Sequence, residues 1–160
     1  MVTTVSLKDA MVDGAREVFE TMAFMALEEI EDQESSCCED VTLLGSITFK
    51  GSIEGCLGIR CGMECARLIA ANMLGTDPSG EMSENDINDA VGEVANMVMG
   101  AIKSRVQDEV GNMEVSIPSV IQGREMKHSL GDTAQEVNAT VSIEEEYPAK
   151  FSLLYRESKK

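Results

Sequence analysis

The sequence predicts an α+β fold in which two long helices pack on a largely antiparallel sheet. Three patterns carry that expectation. Apolar residues recur at helical spacing near the N-terminus and again after Ser83, two β-rich runs are split by a glycine turn, and three more β-rich runs fill the last third of the chain. At 160 residues the whole chain, 1–160, is most simply one domain, long enough to bury about 70% of the surface that its unfolded form exposes.

Leu7, Met11, Ala15, Val18, Met22 and Met25 recur three or four residues apart, so residues 6–30 read as the first helix with Ser6 as its N-cap. The acidic stretch from Glu28 to Asp40 has little apolar content after Ile30 and reads as a solvated loop. VTLLGSITF and IEGCLGIRC then flank Lys50-Gly51-Ser52 as a hairpin. Glu64 to Leu74 reads as a short apolar helix closed by Gly75, and Asp77-Pro78-Ser79-Gly80 as the loop after it. Ser83, with Asp86 three residues on, opens a helix that runs to about Val110. After Gly111-Asn112, EVSIPSVIQG, EVNATVSIEE and AKFSLLYRE read as strands, the first two joined by the polar REMKHSLGDTAQ. A helix followed by strands occurs twice, which hints at an old duplication that residue identity is too slight to establish.

Composition narrows the function. With no Trp and only four Phe, the core falls to Leu, Ile, Val and eleven Met. The net charge of −16 argues against nucleic acid and against an anionic membrane surface, both of which need a concentrated basic patch. MVTTVSLKDA lacks the basic and apolar regions of a signal peptide, and no apolar run approaches a membrane span, so a cytoplasmic location is expected. Five cysteines at irregular spacing fit reduced thiols. Cys61 and Cys65 are four apart and Cys37-Cys38 are adjacent, but His128 is the only histidine, so no metal site is expected.

The chemistry falls on the helix stretch DAVGEVANMVMG, Asp89 to Gly100. At about 100° per residue, Ile87, Val91, Val94, Val98 and Ile102 gather on a core face with Ala95 and Val106 beside them. Glu93 lies opposite, with Asn96 about 60° from it, and Asp89, Gly100 and Ser104 continue the same stripe. Gly92 and Gly100 each cost a helix about 1 kcal/mol against alanine. A partner's backbone settling on this face would favour them, and so would packing inside the protein; the residues alone leave both open. Glu and Asn one turn apart are not a nucleophile and base, since an amide is no base. A carboxamide can hold one water in line for attack on a phosphoryl group, and a carboxylate can pair with a lysine.

Asp89, Glu93, Asn96 and Pro118 stand in the pattern of the CheX branch of the CheC/CheX/FliY chemotaxis phosphatases, and the sequence resembles that family. The pattern is an acidic or small polar residue, three residues, Glu, two residues, Asn, and a Pro a little over twenty residues on. The strand Ser116-Ile117-Pro118-Ser119-Val120 with Gly123 strengthens the match, which spans about Val41 to Gly123 and extends over the first helix and last strands. The resemblance implies a homodimer that hydrolyses the aspartyl phosphate of a CheY-like receiver domain. Asn96 would position the attacking water and Glu93 would pair with the receiver's lysine. Asp89, Met97, Gly100 and Ser104 would contact the partner, while Pro118 would shape the neighbouring strand. The Mg2+ would belong to the receiver, leaving this chain without a cofactor of its own. CheC and FliY resemble duplicated proteins with two such helices. The matching place in the first helix here reads Asp9, Asp13 and Arg16, which implies one site per chain.

Two other readings compete. One is an interaction module that binds a receiver without hydrolysis, against which the presence of both Glu93 and Asn96 argues. The other is a thiol redox or metal protein using Cys37, Cys38, Cys61 and Cys65, which rests on loose spacing alone.

Overall fold

The structure, a computed structural model, describes residues 4–31, 42–77, 79–123 and 134–158. Helix α1 (Thr4–Met22) buries Leu7, Met11, Ala15, Val18 and Phe19. It stops at Met22 rather than at residue 30. Phe24 adopts a φ of 55°, and the Met25 N–H donates to the Phe19 carbonyl at 2.9 Å, which turns the chain out of the helix. Strand β1 (Leu27–Ile30) follows where the sequence reading had helix and acidic loop. The two periods overlap here, because Met25 is three residues from Met22 and two from Leu27. Met25 and Leu27 are both 1% exposed, so core contact runs unbroken from helix into strand. Residues 32–40 of the acidic stretch, with Cys37 and Cys38, lie outside the described residues.

Strands β2 (Thr42–Lys50) and β3 (Ile53–Gly62) form the expected antiparallel hairpin. Its tip is pressed against the end of the long helix. The Ser52 hydroxyl donates to the Val110 carbonyl at 2.7 Å, and a Cβ on Gly51 would come within 2.7 Å of the Asn112 carbonyl oxygen. Helix α2 (Met63–Leu74) closes on Gly75, whose φ of 71° is the left-handed cap that glycine adopts without strain. Helix α3 (Glu84–Val110) begins at Ser83, whose hydroxyl accepts from the Asp86 N–H at 3.1 Å.

The expected strand EVSIPSVIQG is two short ones, β4 (Glu114–Val115) and β5 (Ser119–Gly123), both paired with β2. Proline has no N–H for a ladder, and Pro118 falls in the break. Strands β6 (Gln135–Ile143) and β7 (Tyr147–Glu157) complete the chain; most of the polar link before them, with His128, lies outside the described residues.

Among the described residues the strands make one antiparallel sheet ordered β1-β6-β7-β3-β2, with β4 and β5 in succession along the outer edge of β2. Alternate residues face the helices: Gly45 lies against Val91, while the Phe151 ring meets that of Phe19 at 6.1 Å. Helix α1 lies over β1 and β6, α3 over β2 and β5, and the two helices pack on each other. Leaving β4 aside, exchanging β1 with β5, β2 with β6, β3 with β7 and α1 with α3 returns the same order of neighbours. The repeat of helix and strands seen in the sequence thus has a counterpart in the topology.

Candidate functional site

The core face of α3 sets the direction of everything opposite it. Val91, Val94, Val98 and Ile102 are each at most 1% exposed, and Ile87, Ala95 and Val106 are buried with them. Burying each large aliphatic side chain stabilises by about 1.5–3 kcal/mol, so the helix has no freedom to roll. Asp89, Glu93, Asn96, Gly100 and Ser104 are consequently all exposed, while Met97 is half-buried and packs against the core. The structure therefore brings the sequence-predicted residues onto one stripe of one helix. Neither Glu93 nor Asn96 has a hydrogen-bond or ion-pair partner among the described residues.

The two glycines have different surroundings. Gly92 is buried, and a Cβ there would sit 3.5 Å from Val120 Cγ2 and 3.6 Å from Pro118 Cγ, ordinary contact with β5 and the break before it. Packing inside the protein sets Gly92 against β5 but does not require glycine there. At Gly100 an added Cβ would meet nothing within 4 Å. Nothing internal accounts for that glycine.

Gly92 lies one turn from both Asp89 and Asn96, so Pro118 resting on it borders the stripe on the Asn96 side. Pro118 was expected to shape this strand, and it stands where the ladder is interrupted. Its neighbour Ile117 is 89% exposed. The sequence reading did not single out Ile117; the residue before a proline inside a β-rich run was the available signal.

The exposed charge on the first half of α3 is all acidic, from Glu84, Asp86, Asp89 and Glu93, and its first basic residue is Lys103. In the loop leading to α3, hydrogen bonds from the Ser79 N–H and hydroxyl hold the Asp77 carboxyl below the usual carboxylate range. The described thiols lie elsewhere. Cys61 and Cys65 are buried and unbridged, and burial pushes the Cys56 thiol up, away from the reactive thiolate. No group of three or more His, Cys, Asp and Glu is placed to hold a metal among the described residues, and no described helix is long and apolar enough to cross a membrane.

Comparison with known proteins follows the same helix and sheet. No curated protein matches the chain. Chemotaxis protein CheX from Vibrio vulnificus is 23% identical with a TM-score of 0.76, covering 98% of this chain and 100% of that one. A chemotaxis protein CheX from Desulfovibrio desulfuricans is 19% identical with a TM-score of 0.75, covering 95% and 99%. A CheX–CheY–BeF3–Mg2+ complex from Borrelia burgdorferi contains a chain 18% identical with a TM-score of 0.68, covering 93% and 97%. These structures share the fold. Residues 43–142 match the family model described as chemotaxis phosphatase CheX, a span that runs from within β2 to within β6 and includes the whole of α3. The chain belongs to the chemotaxis phosphatase CheX family.

Proposed function

We propose that the chain is a phosphatase of a CheY-type response regulator, hydrolysing the aspartyl phosphate of its receiver domain with the chemistry carried on α3. The observation that supports this most is the pair Glu93 and Asn96, exposed one turn apart with no partner of their own among the described residues. The relative solved as a complex with CheY supports the choice of partner.

In this mechanism the Asn96 carboxamide enters the receiver's site and accepts a hydrogen bond from a water, holding its oxygen in line with the phosphorus. The water oxygen bonds to phosphorus as the bond to the aspartyl oxygen breaks. The carboxylate leaves with the electron pair, and both of the water's protons depart on the phosphate, which is released as H2PO4−. Asn96 is no base, so its contribution is orientation. Glu93 pairs with the receiver's lysine and fixes the approach. The Mg2+ that neutralises phosphoryl charge is the receiver's. Such a reaction belongs in the cytoplasm, and a homodimer would carry two sites of this kind.

The test is phosphate release from acetyl-phosphate-charged receiver domains of the source organism. Acceleration by the wild type, with loss in both Asn96→Ala and Glu93→Ala, is the expected result. Wild-type rate retained in Asn96→Ala would sink the mechanism, and capture of the phosphorylated receiver without phosphate release would leave a binding module.

A further inference from the structure

Among the described residues the large exposed hydrophobics are Met22, Phe24, Ile30, Leu74, Ile117 and Ile121. Met22, Phe24 and Leu74 lie at the C-terminal ends of α1 and α2, joined where Asn72 Nδ2 donates to the Ala23 carbonyl at 2.9 Å. Ile30 belongs to β1, at the other edge of the sheet from β5. Ile121 pairs with Leu44; since Gly45 faces the helices, this pair points to the opposite side of the sheet. Ile117 is the one bonded to Pro118, which rests on Gly92 at the border of the stripe of Asp89, Glu93 and Asn96.

Its mount is rigid. On one side the Ser116 N–H donates to the Thr48 carbonyl at 2.9 Å, and the Thr48 N–H donates to the Ser116 hydroxyl at 2.9 Å. On the other side the Ser119 and Ser46 hydroxyls lie 3.2 Å apart, and between them Pro118, with its φ fixed by the ring, rests on Gly92. An isoleucine displayed from a pinned backbone loses little freedom on binding.

We propose that Ile117 is the apolar anchor on which the phosphorylated receiver docks, an inference that rests on the reading of α3 given above. The chemistry of that partner calls for such a contact. An aspartyl phosphate is anionic, the chain carries a net charge of −16, and the nearest charges on α3 are acidic. This chain's charge therefore does not draw the phosphoryl group in at long range, and the one ion pair in the mechanism is Glu93 with the receiver's lysine. The rest of the affinity must come from uncharged contact, yet the stripe itself offers only half-buried Met97, Gly100 and Ser104. Ile117 supplies the missing apolar surface and selects a receiver with an apolar recess beside its phosphorylation site.

Steady-state phosphate release with titrated receiver tests this, together with direct binding of the same receiver loaded with beryllofluoride and Mg2+. Ile117→Ser should raise KM, and the Kd for the loaded receiver, about 10-fold, as expected for losing burial of one aliphatic side chain. It should leave kcat within about twofold, whereas Asn96→Ala should do the reverse. Ile121→Ser, on the far face, is the control and should change neither. Unchanged KM in Ile117→Ser with an active wild type overturns the anchor and spares the phosphatase reading. An equal rise in KM for Ile121→Ser, or dissociation of a dimer by Ile117→Ser at unchanged KM, also overturns it, the latter assigning the surface to a second copy of the chain. A wild type that neither binds nor dephosphorylates any receiver removes both readings together.

Discussion

Helices α1 and α3 occupy equivalent places over the two halves of one sheet, yet their outward faces are built differently. On α1 the place of Glu93 and Asn96 is taken by Asp13 and Arg16. Arg16 Nη1 donates to Asp13 Oδ1 at 3.1 Å, and its Nε donates to the Leu27 carbonyl at 3.3 Å. That face is closed by its own contacts and holds the start of β1. On α3 the same turn keeps its polar groups unpartnered in water. The difference teaches that equivalent turns of the two helices use their polar groups differently: on α1 they tie the helix to its own surroundings, and on α3 they are left for solvent or a partner.

The comparison breaks most visibly in catalysis. Asn96→Ala should lower kcat about 100-fold, roughly 2.7 kcal/mol of barrier, the scale on which misplacing a reacting group acts. Arg16→Ala, in the equivalent turn, should leave phosphate release unchanged and cost about 1 kcal/mol in stability through the lost bond to Leu27. Single-turnover rates and denaturant melts on the two variants separate these outcomes. A loss of turnover in Arg16→Ala would make α1 a second working face.

Next in size are the exposed apolar residues that precede the two edge strands. Phe24 comes before β1 as Ile117 comes before β5, and it is 72% exposed. Its φ of 55° is a left-handed conformation that costs a non-glycine residue about 1–2 kcal/mol. Phe24→Gly should therefore stabilise the fold by about 1 kcal/mol and leave the receiver's KM alone, in contrast with the rise expected for Ile117→Ser. A KM that rose in Phe24→Gly would place the receiver at the ends of α1 and α2 instead.

How much of the fold is legible in the sequence depends on the length over which a pattern persists. Helix α3 was legible throughout, because its apolar repeat runs from Ile87 to Val106 and Ser83 marks its start. The β2–β3 hairpin was legible for the same reason. Strand β1 was not: of its four residues only Leu27 is buried, and its pairing with β6 joins Glu28 to Ser142, far away in the chain. The split of β4 from β5 was written in Pro118, but the exposure of Ile117 that results depends on Ser116 and Ser119 finding β2, which is tertiary. The site stripe could be read from residue spacing. That Gly92 lies against Pro118 while Gly100 faces open solvent could be read only from coordinates.

Those glycines sharpen the comparison within α3 itself. Alanine at either position should add up to about 1 kcal/mol of stability through helix propensity, since the Cβ meets ordinary contacts at Gly92 and none at Gly100. Only Gly100→Ala should weaken receiver binding, because only that position lies open on the stripe. Equal effects of both on KM, measured beside thermal melts, would mean that no partner comes close to Gly100.

The smallest effect concerns the charge that ties the two helices together. Arg105 on α3 donates to Glu17 on α1, with side chains 33% and 59% exposed, close to where Gly14 fits against Ala101. At that exposure solvent and salt screen the pair, and holding two long side chains in one geometry offsets much of the attraction. Arg105→Ala should cost under about 0.5 kcal/mol at moderate salt and still less as salt rises. Salt-insensitive destabilisation of 2 kcal/mol or more in denaturant titration would show that the helices depend on this charge pair rather than on the apolar contact beneath it. On the structure's own terms the apolar contact decides: Phe19, Ala15 and Met11 of α1 and Val98 and Ile102 of α3 are all at most 1% exposed, so the interface is dry before the ion pair forms over it.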